Sequence, residues 1–117
     1  MEHPEVAKGT TFTTSEIVQF DHKKIVVRSI INRPTGNLSI VAIDTGQVMD
    51  RKSVPFDTYL QVIEGLARLS IGNQTFIVKN GQSIIIPARI QSTLTATIRL
   101  KIFLAIIKTG NENTGVQ

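Results

Sequence analysis

The sequence predicts an all-β sandwich or barrel, and three observations carry the prediction. From Lys24 onward apolar and polar residues alternate with a period of two. Turn dipeptides interrupt this alternation roughly every 7–12 residues. The segments between them are crowded with β-branched residues, as in Ile25-Val26-Val27, Ile40-Val41, Ile84-Ile85-Ile86 and Ile106-Ile107. A length of 117 residues suits one domain, and 41% apolar against 19% charged residues is enough to fill a core.

The first strand is expected over 24–32, closed by Pro34-Thr35-Gly36, and the second over 37–43, closed by Thr45-Gly46. A third spans 47–54 up to Pro55-Phe56-Asp57, and a fourth spans 58–64 up to Glu64-Gly65. Gly72-Asn73 and Asn80-Gly81 then bracket 74–79, so that 66–71, 74–79 and 82–86 read as a meander. Gly and Asn supply the positive φ that such tight connections need. The last two strands are expected over 91–97 and 99–108. Helical pattern is confined to one turn at Thr14-Ser15-Glu16-Ile17-Val18, after a Ser or Thr cap.

The segment 99–108 changes character along its length. Arg99 and Lys101 alternate with Leu100 and Ile102 as on a face turned to water, whereas Phe103-Leu104-Ala105-Ile106-Ile107 is apolar on both faces. A strand buried on both sides of a sandwich needs a second cover. The sequence offers the segment around Ile17, Val18 and Phe20, or another subunit, and a homodimer through this outer face is expected. The chain thus divides into an N-terminal segment, 1–23, that packs on the barrel or a partner subunit, a barrel, 24–108, and a polar tail, 109–117.

Composition removes much chemistry. With two histidines and no cysteine there is no disulfide, zinc finger, iron–sulfur cluster or thiol nucleophile. The first ten residues do not read as a signal peptide, and the longest apolar run, Ile102 to Ile107, is far short of the ~20 residues that span a bilayer. A cytoplasmic protein without a membrane partner is expected. The net charge of +4 comes from residues 66–117, where six basic side chains face Glu112 alone. Those cations are dispersed and lack interleaved aromatics, so no nucleic-acid partner is expected. Ser53 and Ser83 have no histidine to activate them, Asp57 and Glu64 sit in separate turns, and no catalytic residue is assigned.

The stretch Pro55-Phe56-Asp57-Thr58-Tyr59-Leu60-Gln61-Val62-Ile63-Glu64-Gly65, followed by Val78-Lys79-Asn80-Gly81-Gln82-Ser83-Ile84-Ile85-Ile86-Pro87-Ala88, resembles the two-motif core of the small single-domain cupins. The resemblance covers about residues 36–108 and implies a jelly-roll β-barrel, commonly dimeric. Members of that family usually hold a divalent metal through three histidines and one further ligand. Carried onto this sequence by the Pro55 and Pro87 anchors, those positions fall on Lys52, Val54, Thr58 and Ser92. A lysine cation, a valine and two hydroxyls are poor ligands, so the resemblance implies that the metal site has been lost and that no cofactor is bound. His3, in the N-terminal segment, and His22, between Asp21 and Lys23, do not rebuild it.

Alternation through this region places Lys52, Val54, Thr58, Leu60, Val62, Ser92 and Leu94 inside, and Tyr59, Gln61 and Ile63 outside. The resulting interior is either a pocket for a small anionic or polar ligand or a closed core. Candidate ligand-binding residues are Lys52, Thr58 and Ser92 in the barrel, with Arg89 and Gln91 at its mouth. Lys52 either anchors an anion or lays its stem on apolar surface with its ammonium in water. Two other functions compete with ligand binding: a metal-independent enzyme using Lys52 or Tyr59, and a structural or regulatory dimer that binds another protein.

Overall fold

The computed structural model describes residues 5–108. Nine strands form: β1 (Ile25–Arg33), β2 (Gly36–Ile43), β3 (Val48–Arg51), β4 (Thr58–Glu64), β5 (Leu66–Ile71), β6 (Gln74–Lys79), β7 (Ser83–Ile86), β8 (Ser92–Thr95) and β9 (Leu100–Ile107). A single 3₁₀ turn, Thr14–Glu16, precedes them. Each expected strand is present. The third and eighth are shorter than alternation suggests, because they pair with each other only from Val48↔Thr95 to Arg51↔Ser92 before their chains leave for the opposite sheet. His3 and the 109–117 tail lie outside the described residues.

The strands form two antiparallel sheets, β1-β2-β9-β4-β7 and β3-β8-β5-β6. The chain passes between them at every connection except the β1–β2 and β5–β6 hairpins, which gives a jelly roll. The inward rows of both sheets meet in one core that includes Val41, Ile43, Leu60, Val62, Leu69, Leu94, Leu100 and Ile102. Completely burying a side chain of this size stabilises the fold by about 1.5–3 kcal/mol. Gly65, at φ +95, makes the β4–β5 passage. A Cβ there would collide with the Arg99 carbonyl oxygen, so only glycine fits.

A second cluster lies on the outside of the larger sheet. Val18, Ile30, Ile40 and Ala42 are buried there, with Val6, Ile17, Phe20, Val26, Leu38, Ile63 and Phe103 packed around them. Residues 6–20 therefore form a strap across β1, β2, β9 and β4, and it accounts for the two-sided apolar character of these strands. Two cations on the sheet hold its backbone. Arg28 Nη1 donates to the Ile17 carbonyl at 3.1 Å, and Lys101 Nζ donates to the Ser15 carbonyl at 2.6 Å. The Phe20 ring packs 4.9 Å from both the Arg99 guanidinium and the Lys101 ammonium.

Lys101 is only 6% exposed, a correction to the water-facing role that alternation assigns it. The reason is position: β9 is a central strand between β2 and β4, and the strap closes over it. The strap joins β1 through residues 21–24, where Lys23 takes φ +57. That left-handed residue is tied down by Asp44, whose Oδ2 accepts the Lys23 N–H at 2.7 Å and whose Oδ1 accepts from Arg99 Nε at 3.0 Å. No helix among the described residues is long and apolar enough to cross a membrane.

Candidate functional site

Polar inward-facing side chains gather at one end of the barrel. The strand registers define an end layer made of Ile86, Thr58, Ile106 and Asn37 on the larger sheet, and of Arg51, Ser92, Ile71 and Gln74 on the smaller one. The inward rows at the opposite end, through Ile43, Val62, Ala67, Val78, Leu100 and Ile102, are wholly apolar. Four connections surround the polar end: 34–35, 52–57, 72–73 and 87–91. They are stitched together by Arg89 N–H to the Val54 carbonyl at 2.6 Å, Gly72 N–H to the Gln91 carbonyl at 3.2 Å, and Ala88 N–H to Asp57 Oδ1 at 2.8 Å.

Of the sequence-predicted residues, Thr58 and Ser92 lie in this layer, 1% and 2% exposed. Thr58 Oγ1 is buried and has no hydrogen-bond partner. A buried hydroxyl left unpaired costs about 1–3 kcal/mol, and native proteins seldom leave one without a reason. Lys52 does not belong to the layer. It is exposed in the 52–57 connection, beyond the end of β3, and so does not face inward. Counting alternation back from Thr58 loses phase across the Pro55 turn, because the loop residues follow no pleat. Val54 is half-buried, with its carbonyl taken by Arg89. Arg89, at φ +66, and Gln91 are exposed in the 87–91 loop beside the layer, and both contribute backbone groups to the stitching.

The inward basic residue of β3 is Arg51, the neighbour of the Lys52 that alternation places inside. Directly paired residues on antiparallel strands share a face, so pairing with buried Ser92 turns Arg51 inward. It is half-buried, and burial pushes its guanidinium below its ordinary pKa. Among the described residues no carboxylate lies within salt-bridge distance of it. Asp50, on the opposite face, accepts from Thr93 Oγ1 at 2.8 Å. The signal that could have found Arg51 is the β3–β8 register, which a single sequence does not print.

Tyr59 lies on the outer face, hydrogen-bonded to Ser83 Oγ at 2.7 Å and edge-on to Phe103. Lys52 and Tyr59, the residues on which a metal-free enzyme would rely, are therefore both outside the barrel. A shallow concavity of about 370 Å³ opens between β6 and β7, lined by Phe76, Ile77, Val78, Gln82, Ser83 and Ile84. It contains no charged side chain and none of the end-layer residues.

No protein-family model and no curated protein matches the chain. Solved structures do. A conserved protein of unknown function from Streptococcus pyogenes superposes with a TM-score of 0.82 at 23% identity, over 92% of this chain and 95% of that one. A cupin 2 conserved barrel domain protein from Leptotrichia buccalis gives 0.78 at 27% identity over 83% of this chain, which spans 47% of that protein. A cupin superfamily protein from Desulfitobacterium hafniense gives 0.82 at 10% identity, over 90% and 96% of the two chains.

This chain has the cupin fold. The metal that cupins commonly hold does not suit the residues present here. At the positions the resemblance assigns, Thr58 and Ser92 offer neutral hydroxyls, Val54 offers no donor side chain, and Lys52 points to solvent. The charged side chain in the layer is Arg51, whose guanidinium repels a cation. Among the described residues, no group of three or more His, Cys, Asp or Glu could hold a metal ion.

Proposed function

We propose that this cupin barrel is a binding module that seats a small ligand in its polar end layer without a metal. The observation that carries the reading is the unpartnered Thr58 hydroxyl, buried in the same layer as Ser92 and Arg51. A closed core gains nothing from an unpaired buried hydroxyl, whereas a ligand with a hydrogen-bonding group satisfies it beside the half-buried Arg51 guanidinium. The test is native mass spectrometry of purified protein against Thr58→Val. A small molecule released from wild type and depleted in the variant is expected. Ligand-free spectra for both, after exposure to a metabolite extract, would overturn the reading.

A second reading concerns assembly and is favoured by a specific row of side chains. Ile31, Leu38, Ala105, Tyr59 and Ile85 stand in register across all five strands on the outside of the larger sheet. The strap's apolar anchors pack over much of that face, but Ile85 is 60% and the neighbouring Ile107 62% exposed. Such a flat apolar row suits a second copy of the same chain, meeting it through the same patch.

A further inference from the structure

We infer that the ligand of the end layer is a small carboxylate with an apolar body, anchored by Arg51. The inference rests on the ligand-binding reading above and adds the chemical class. Arg51 supplies the only charged side chain on the inward rows of the end layer, opposite Ser92 on β8 and at one end of the 52–57 connection that begins β4 at Thr58. Its guanidinium is half-buried and unpaired among the described residues, although carboxylates stand close by in sequence. Asp50 faces the other way onto Thr93, and Asp57 accepts the Ala88 N–H. The fold keeps both acids off the arginine and leaves its fork for an anion from outside.

The rest of the layer selects among anions. A guanidinium presents two parallel N–H groups, which match the two oxygens of a planar carboxylate. The Thr58 and Ser92 hydroxyls each supply one further donor. A single cation among neutral hydroxyls and amides underserves the greater charge of a phosphate. Ile71, Ile86 and Ile106 are the apolar members of the layer and suit a hydrocarbon body, while Asn37 and Gln74 complete its polar rim. Around the mouth Lys52, Arg89 and Lys108 outnumber Asp57, which draws anions toward the layer.

Titration calorimetry with butyrate, butyramide and inorganic phosphate tests this on wild type, Arg51→Gln and Arg51→Lys. Butyrate is expected to bind wild type at least tenfold more tightly than butyramide or phosphate. Arg51→Gln should lose that preference, and Arg51→Lys should retain part of it because the charge remains while the fork is gone. Equal binding of butyrate and butyramide, or butyrate affinity unchanged in Arg51→Gln, would overturn the carboxylate and leave the ligand site standing. Preference for phosphate would replace the carboxylate with a different anion. Absence of butyrate binding to wild type also overturns the inference, while ligand release in the mass spectrometric test continues to report on the site itself. Arg51 lies at the end of a four-residue strand and is half-buried, so thermal melts of both variants should match wild type and exclude misfolding as the cause.

Discussion

Thr58 and Leu60 are both fully buried on the inward face of β4, yet their removal should act in opposite directions. Leu60→Ala opens a cavity in the filled part of the barrel and should cost about 2–5 kcal/mol in denaturant unfolding. Thr58→Val keeps the shape and deletes an unsatisfied hydroxyl, so the ligand-free protein should be unchanged or stabilised by about 1 kcal/mol. The same variant should bind ligand more weakly. A stability gain at a buried position coupled to a loss of binding marks a residue kept for function, and a clear destabilisation by Thr58→Val would contradict that role. Legibility at this scale divides along the same line. Thr58 and Ser92 were readable because each begins a strand whose alternation sets its face. Lys52 and Arg51 were exchanged because the Pro55 turn breaks the count, and only cross-strand register restores it.

At the scale of elements, the strap illustrates what patterning shows and what it hides. The apolar residues Ile17, Val18 and Phe20 and the two-sided apolar strands are visible in the sequence, so the need for a cover is visible too. The polar fastening is not, because Arg28 and Lys101 reach backbone carbonyls of residues 17 and 15, which no side-chain pattern encodes. Lys101→Met keeps the apolar stem but leaves the Ser15 carbonyl without its charged donor. We expect a loss of about 1.5–3 kcal/mol and faster proteolysis before Asp21, with the barrel itself still resistant.

The latch at the strap's root is sensitive to acid. The Lys23 N–H and then the Arg99 guanidinium hold the Asp44 carboxyl below its ordinary pKa. A carboxylate whose folded pKa is depressed contributes stability that is present above its unfolded pKa and lost as pH falls through the folded value. The strap should therefore stay fastened at neutral and mildly acidic pH and loosen only below about pH 4. Amide exchange of residues 17–24 across this range reads the transition, and Asp44→Asn should make exchange there fast already at pH 7. Gly65→Ala would strain the β4–β5 passage. The collision with the Arg99 carbonyl and the left-handed φ predict a loss of at least ~2 kcal/mol, read from the shift of the urea midpoint.

For the whole molecule, the two faces of the larger sheet have different work. The inner face grades from a dry apolar end to a polar end bordered by four connections, and the outer face grades from strap-covered to open. The open part predicts assembly. Ile85→Glu places a charge in the exposed row and should shift a dimer to monomer in light scattering after size exclusion, without changing the melting temperature of the barrel by more than a few degrees. A wild type that is monomeric at high concentration would contradict that second reading and leave the ligand site untouched. Fold class was legible at this scale because turn glycines and β-branched runs repeat along the chain. The polar end layer was only half legible, because it is assembled from residues 37, 51, 58, 74 and 92, which are far apart in sequence and meet through pairing alone.

A high-resolution crystal structure of the protein grown with butyrate decides whether the end layer is a carboxylate site. Density for a carboxylate is expected in the end layer, bridged to the Arg51 guanidinium and to the hydroxyls of Thr58 and Ser92, with the apolar body against Ile71, Ile86 or Ile106. An end layer closed by its own side chains, with Arg51 turned to solvent and the Thr58 hydroxyl bonded to backbone, would contradict it.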